Sequence, residues 1–128
     1  MTIMEAAQKF ALSADTLRYY ERIGLIPPVH RTGGGMRDYT QEDLKWVEFI
    51  KCMRSAGVSI ETLVEYVALF RAGKESIQTR KALLLEQRQQ IADRIAELQT
   101  ALTRLDKKLD GYEERMLKYE ENLYQSPD

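Results

Sequence analysis

The most regular pattern in the chain runs through its second half. From Leu84, positions step by alternating fours and threes through Arg88, Ile91, Ile95, Leu98, Leu102, Leu105, Leu109, Tyr112, Met116, Tyr119 and Leu123, and Arg88 alone among them is polar. A 3.5-residue repeat of apolar positions is the seam of a coiled coil. It predicts one helix from Ser76 to Tyr119, roughly 66 Å long at about 1.5 Å per residue. A lone helix cannot bury that seam against the residues that precede it, so a partner is needed, and a second copy is the simplest one. Ile91, Ile95, Leu98, Leu102, Leu105 and Leu109 are the expected dimerisation contacts.

The first half carries shorter patterns, each opened by a capping residue. Thr2 and Glu5 have capping-box spacing, and Ile3, Ala6, Ala7 and Phe10 share one helical face behind them. Leu12-Ser13 breaks that pattern, and Ser13 can cap a second helix through Arg22, with Leu17 and Tyr20 facing inward. Two short helices joined by a tight turn are a helix-turn-helix. Gly24-Leu25-Ile26-Pro27-Pro28 stops the second helix, and Val29 to Tyr39 then reads as a β-hairpin with Gly33-Gly34-Gly35 at its tip.

Thr40 caps a third helix with Glu42 and Asp43 in its first turn. Leu44, Val47, Ile50 and Met53 face the core, widened by Trp46 and Phe49, and the helix ends near Ala56-Gly57. Ser59 caps a fourth helix to about Arg71. The expected fold is mainly α. Residues 1–74 form a winged helix-turn-helix domain with a small β-hairpin wing, and residues 75–128 form a dimerisation helix with a short C-terminal tail.

Composition changes this picture little. The 128 residues are 44% hydrophobic and 30% charged, with 19 basic and 20 acidic side chains. A net charge of -1 gives no global sign of nucleic-acid binding, so any basic footprint must be local. One Cys cannot form an intramolecular disulfide, and no apolar run approaches the roughly 20 residues a bilayer requires. A cytoplasmic protein without a membrane partner is expected.

The local footprint lies on the second helix and the hairpin. With Leu17 and Tyr20 turned inward, Thr16, Arg18, Tyr19 and Arg22 are left for another face. Arg can grip a guanine edge or a phosphate, and a Tyr hydroxyl donates to phosphate. The glycine tip is flanked by His30, Arg31, Arg37 and Tyr39, which suits a wing lying on a DNA backbone. A nucleotide-phosphate loop fits less well, since no Lys-Ser/Thr follows the glycines. His30 suits a surface hydrogen bond better than metal ligation. One Cys and one His on different elements offer no catalytic constellation, so an enzyme is not expected.

The ordered set Thr16-Leu17-Arg18-Tyr19-Tyr20-Glu21-Arg22-Ile23-Gly24-Leu25-Ile26, then Arg37-Asp38-Tyr39, then Arg54-Ser55-Ala56-Gly57-Val58-Ser59 resembles the MerR family of bacterial regulators across the whole chain. The resemblance implies a homodimer joined by an antiparallel coiled coil. It also implies a pseudo-palindromic double-stranded promoter operator, twisted so that RNA polymerase can read both promoter elements. By the same resemblance, Arg18 and Tyr19 are recognition-helix contacts, Arg31, Arg37 and Tyr39 first-wing contacts, and Arg54 and Ser59 second-wing residues.

No metal or other cofactor is implied, because the dimer helix is followed by no Cys or His. The stretch Phe49-Ile50-Lys51-Cys52-Met53-Arg54 is similar to the aldehyde- and thiol-stress (NmlR/AdhR-type) branch, which implies Cys52 as an electrophile sensor. Residues alone favour a buried structural Cys52, since its helical neighbours Glu48, Phe49, Ser55 and Ala56 supply no positive charge. Two alternatives stay open. One is a regulator of this type with a different signal, or none, and a structural Cys52. The other is a coiled-coil adaptor that binds only protein, which leaves the Arg-Tyr helix and the basic wing without purpose.

Overall fold

The computed structural model describes residues 1–124, and the short C-terminal tail expected beyond Tyr124 lies outside them. Helices α1 (Ile3–Phe10), α2 (Ala14–Arg22), α3 (Gln41–Ser55), α4 (Ile60–Ala72), α5 (Ile77–Leu109) and α6 (Tyr112–Tyr124) follow in order, with a 3-10 turn at Lys74–Ser76. The first four begin where the sequence places a cap. Thr2, Ser13, Thr40 and Ser59 each accept a hydrogen bond from a backbone N–H in the first turn, and Thr2 and Thr40 close full capping boxes with Glu5 and Asp43. Such a cap contributes about 1 kcal/mol, enough to fix the start of helices this short.

The α1–α2 turn rests on Ala11, a non-glycine residue in the left-handed region (φ 54°). Its strain, about 1 kcal/mol, is offset where the Leu12 N–H donates to Ala7 O (3.0 Å). The Lys51 ammonium from α3 donates to Phe10 O, closing the same helix end.

The chain divides into two units, Met1–Arg88 and Gln89–Asp128. In the first, Ala6, Leu17, Leu25, Ile26, Val47, Ile50, Leu63 and Val67 form the core. Burying each of the larger aliphatic side chains is worth roughly 1.5–3 kcal/mol, and this fixes which face of each helix turns outward. An aromatic cluster joins α3 to α4, with the Trp46 and Phe70 rings 5.0 Å apart and Phe49 and Tyr66 5.7 Å apart. The unit extends past the boundary expected at residue 74. Ser76 is buried, with its hydroxyl donating to Gly73 O (2.8 Å), and Arg80 donates to Ser76 (2.9 Å) while lying over the Phe70 ring. The first turns of α5 are therefore packed on α4.

The expected two-stranded hairpin is not present as such. Between Val29 and Tyr39 the backbone makes one isolated antiparallel bridge, Arg31 to Arg37, around a turn in which Gly35 N–H donates to Thr32 O. Three successive glycines have no side chains to pair across strands, and a lone two-stranded ribbon is marginal in water. The wing is a turn with one rung.

The long helix also needs correction. It ends at Leu109, and Gly111 takes a positive φ of 65° before α6 begins. Arg115 donates to the carbonyls of Lys107 and Lys108, which the helix end leaves open. Tyr112, Met116, Tyr119 and Leu123 thus lie on a separate helix, and the continuous seam stops at Leu109. In the second unit Ile95, Leu98, Leu102, Leu105 and Leu109 are all more than half exposed in the single chain. Among the described residues, no helix is long and apolar enough to cross a membrane.

Candidate nucleic-acid interface

Helix α2 buries Leu17 and Tyr20 and turns the opposite side outward. Arg18 is exposed and pairs with Asp15 at 2.9 Å, a surface ion pair of low cost to exchange for another anion. Tyr19 is 36% exposed, and the Arg22 guanidinium lies 5.5 Å from the centre of its ring. Thr16 is half-buried, sharing a 2.8 Å hydrogen bond with the Ser13 hydroxyl, so part of its role is in the helix cap.

The wing is attached to this helix by Glu21. Its Oε2 accepts the Val29 N–H (2.9 Å), and its Oε1 accepts Arg37 Nε (2.7 Å). Arg31 Nη2 stands 3.9 Å from the same oxygen, and Arg31 Nη1 donates to Gly35 O across the turn (3.0 Å). Both wing arginines are thus gathered toward α2, Arg31 exposed and Arg37 half-buried.

A second carboxylate holds the other side. Asp43, buried at the start of α3, accepts the N–H groups of Thr40 (2.9 Å) and His30 (3.3 Å), and His30 Nδ1 lies 3.0 Å from Oδ2. Burial works against its charge, but these hydrogen bonds outweigh burial and hold the carboxyl below the usual carboxylate range. His30 has the surface hydrogen-bonding role its isolation suggests.

Tyr39 departs from the surface contact expected of it. The residue is 2% exposed, and its hydroxyl is buried without a hydrogen-bond partner. Burial pushes this hydroxyl above the ordinary phenol range, against the pull of Arg37. The burial has a local cause. The Tyr39 N–H pairs with Met1 O (2.7 Å), which ties the end of the wing to the residues leading into α1.

At the α3–α4 turn, Arg54 is exposed and its Nη1 donates to Val58 O (2.7 Å), bridging the turn at Gly57 (φ 90°). Ser59 is exposed as the cap of α4. Cys52 is exposed on α3, on the side away from buried Val47 and Ile50. That overturns the buried structural cysteine favoured by residue types alone.

Glu21 has no role in the sequence pattern beyond its place in the second helix. Asp43 is legible only as an acid in the first turn of the helix that Thr40 caps. Glu21 carried one signal, an acid set between Tyr20 and Arg22 in a helix expected to meet phosphate.

The family model for MerR HTH family regulatory proteins matches residues 1–69, and one described as MerR, DNA binding matches residues 44–108. The chain is 55% identical over 93 residues to the HTH-type transcriptional regulator AdhR of Bacillus subtilis, covering 73% of this chain and just under two thirds (66%) of that relative. An HTH-type transcriptional regulator of Haemophilus influenzae is 34% identical across 88% of this chain and 83% of its own length. Among solved structures, a MerR family regulator from Listeria monocytogenes superposes with a TM-score of 0.86 at 49% identity, covering 96% of this chain and 93% of that one. HiNmlR, a MerR family regulator lacking the sensor domain and bound to promoter DNA, superposes at 0.81 with 33% identity over 91% and 92%.

Proposed function

This chain belongs to the MerR family of DNA-binding transcriptional regulators, and from that premise we propose that it acts as a homodimer on a pseudo-palindromic promoter and responds to electrophiles at Cys52. The observation that carries the dimer is the row from Ile95 to Leu109. Five large apolar side chains at coiled-coil spacing stand more than half exposed in one chain. A monomer rarely leaves so long an apolar stripe in water, and a second copy along Ile91, Ile95, Leu98, Leu102, Leu105 and Leu109 covers it.

On DNA, α2 offers Arg18, Tyr19 and Arg22, with Thr16 at its start. The wing offers Arg31 and Arg37, and the α3–α4 turn offers Arg54 and Ser59. Two such faces in one dimer distort the promoter between half-sites, and RNA polymerase then reads both elements.

For the signal, an exposed thiol meets the first requirement for reaction, which is access. The sulfur of Cys52 adds to an aldehyde carbon, and the carbonyl oxygen takes the thiol proton. Because Cys52 faces outward, the adduct alters what α3 can dock against rather than swelling the core. Arg54 follows two residues later on the same helix. The test is Cys52→Ser. The variant is expected to fold and bind operator like the parent while losing aldehyde- or diamide-dependent promoter output, with the parent gaining adduct mass at Cys52. An unmodified Cys52 together with normal induction in Cys52→Ser would remove the sensor from this reading.

A further inference from the structure

A carboxylate on a DNA-facing helix repels phosphate, yet Glu21 lies between Tyr20 and Arg22 with its side chain only 13% exposed. Its oxygens are divided between the two arms of the wing. One takes the Val29 N–H where the chain enters (2.9 Å), the other takes Arg37 Nε where it leaves (2.7 Å), and Arg31 stands 3.9 Å away. The wing's own ladder is the single bridge Arg31–Arg37, closed by the Asp38 N–H on His30 O (2.7 Å) and the Thr32 N–H on Met36 O (2.8 Å). Those bonds hold the turn's own shape but not its position relative to α2, which depends on what anchors it.

We propose that Glu21 is a positioning residue for DNA binding, setting the wing against the recognition helix and orienting the Arg37 guanidinium toward the phosphate backbone. A guanidinium carries five N–H donors in a planar fork. Engaging Nε with Glu21 fixes the plane and leaves the Nη1–Nη2 edge free for a bidentate phosphate contact. Arg37, 24% exposed at its side chain, presents that edge from a fixed base instead of from a swinging chain. The ordering cost of the contact is then met before DNA arrives.

This inference rests on the DNA face proposed above. It also opposes the simplest electrostatic expectation. If Glu21 acted only through its charge, Glu21→Ala would bind DNA more tightly and Glu21→Asp would change nothing. As a positioning residue, Glu21→Ala weakens binding about tenfold despite the gain in net positive charge. Glu21→Asp, which keeps the charge but shortens the reach, weakens it as well. Glu21→Gln keeps an oxygen for the Val29 N–H and recovers part of the affinity.

The experiment is fluorescence anisotropy of the full chain on a duplex from its own promoter region, with a double-mutant cycle against Arg37→Ala and thermal melts of every variant. The expected result is that Glu21→Ala and Glu21→Asp each cost much less once Arg37 is already Ala. If Glu21→Ala does not fold, Glu21→Asp carries the cycle. Parent-like or tighter binding by both Glu21 variants overturns the inference, as does an equal loss with and without Arg37. If Arg18→Ala and Arg37→Ala bind like the parent, the DNA face falls and this inference falls with it. Loss in those two alone removes only the role of Glu21.

Discussion

Tyr39 and Arg18 are both expected from sequence to contact DNA, but they stand in opposite environments. The Tyr39 hydroxyl is buried without a partner, and an unsatisfied buried polar group costs about 1–3 kcal/mol. Tyr39→Phe is therefore expected to raise the unfolding free energy by about 1 kcal/mol in urea titration. A loss of stability would show that the hydroxyl has a partner in solution. Arg18 is exposed and lightly paired, so Arg18→Ala is expected to leave stability near the parent's. It should cost roughly 1–3 kcal/mol in operator binding if it reads a base, with specificity relaxed at one position per half-site. Arg37→Ala should weaken binding regardless of sequence and flatten its salt dependence. Anisotropy across operator variants and salt steps separates the two, and parent-like binding by both variants would discard the assigned face. Residue types made Arg18 and Tyr19 legible in the sequence, because two inward neighbours fixed their direction. Glu21 was not legible, since its partners lie eight and sixteen positions away, beyond any helical period.

At the scale of elements, the caps were the most legible feature, because a Thr or Ser answers to N–H groups only a few residues ahead. The wing was less so. Its placement depends on the carboxylates of Glu21 and Asp43 as well as on its own single bridge, and those contacts are set by tertiary packing. The break after Leu109 escaped the pattern for a different reason: the apolar spacing continues across Gly111, so periodicity cannot see a change in backbone. Asp43 gives the element-scale prediction. Its hydrogen bonds from Thr40 and His30 outweigh burial, so folding favours the ionised form. A carboxyl depressed by folding contributes stability above its unfolded value and loses it as pH falls through the folded value. The parent should therefore lose part of its stability below roughly pH 4. Asp43→Asn should be less stable at neutral pH and fall less steeply on acidification. Urea unfolding at stepped pH checks this, and parallel curves for parent and variant would mean that Asp43 holds no acid-labile stability.

For the whole molecule, the proposed dimer sets how strongly two small DNA faces act together. In that reading each monomer meets one half-site, and joining two makes the second contact effectively intramolecular. Replacing Leu98 and Leu102 with Asp places four charges in the paired seam, and sedimentation should then show monomers that have lost most operator affinity. Dimers persisting in that variant would move the interface elsewhere. The balance of 19 basic and 20 acidic residues gave no sign of nucleic-acid binding at this scale, because the basic groups of the candidate face are gathered only at α2 and the wing. The most direct test of the account is a nuclease footprint of the purified chain on DNA flanking its own gene, taken at increasing salt. The account predicts two protected half-sites related by a dyad, lost together as salt rises, and protection of a single unpaired site or of none would contradict it.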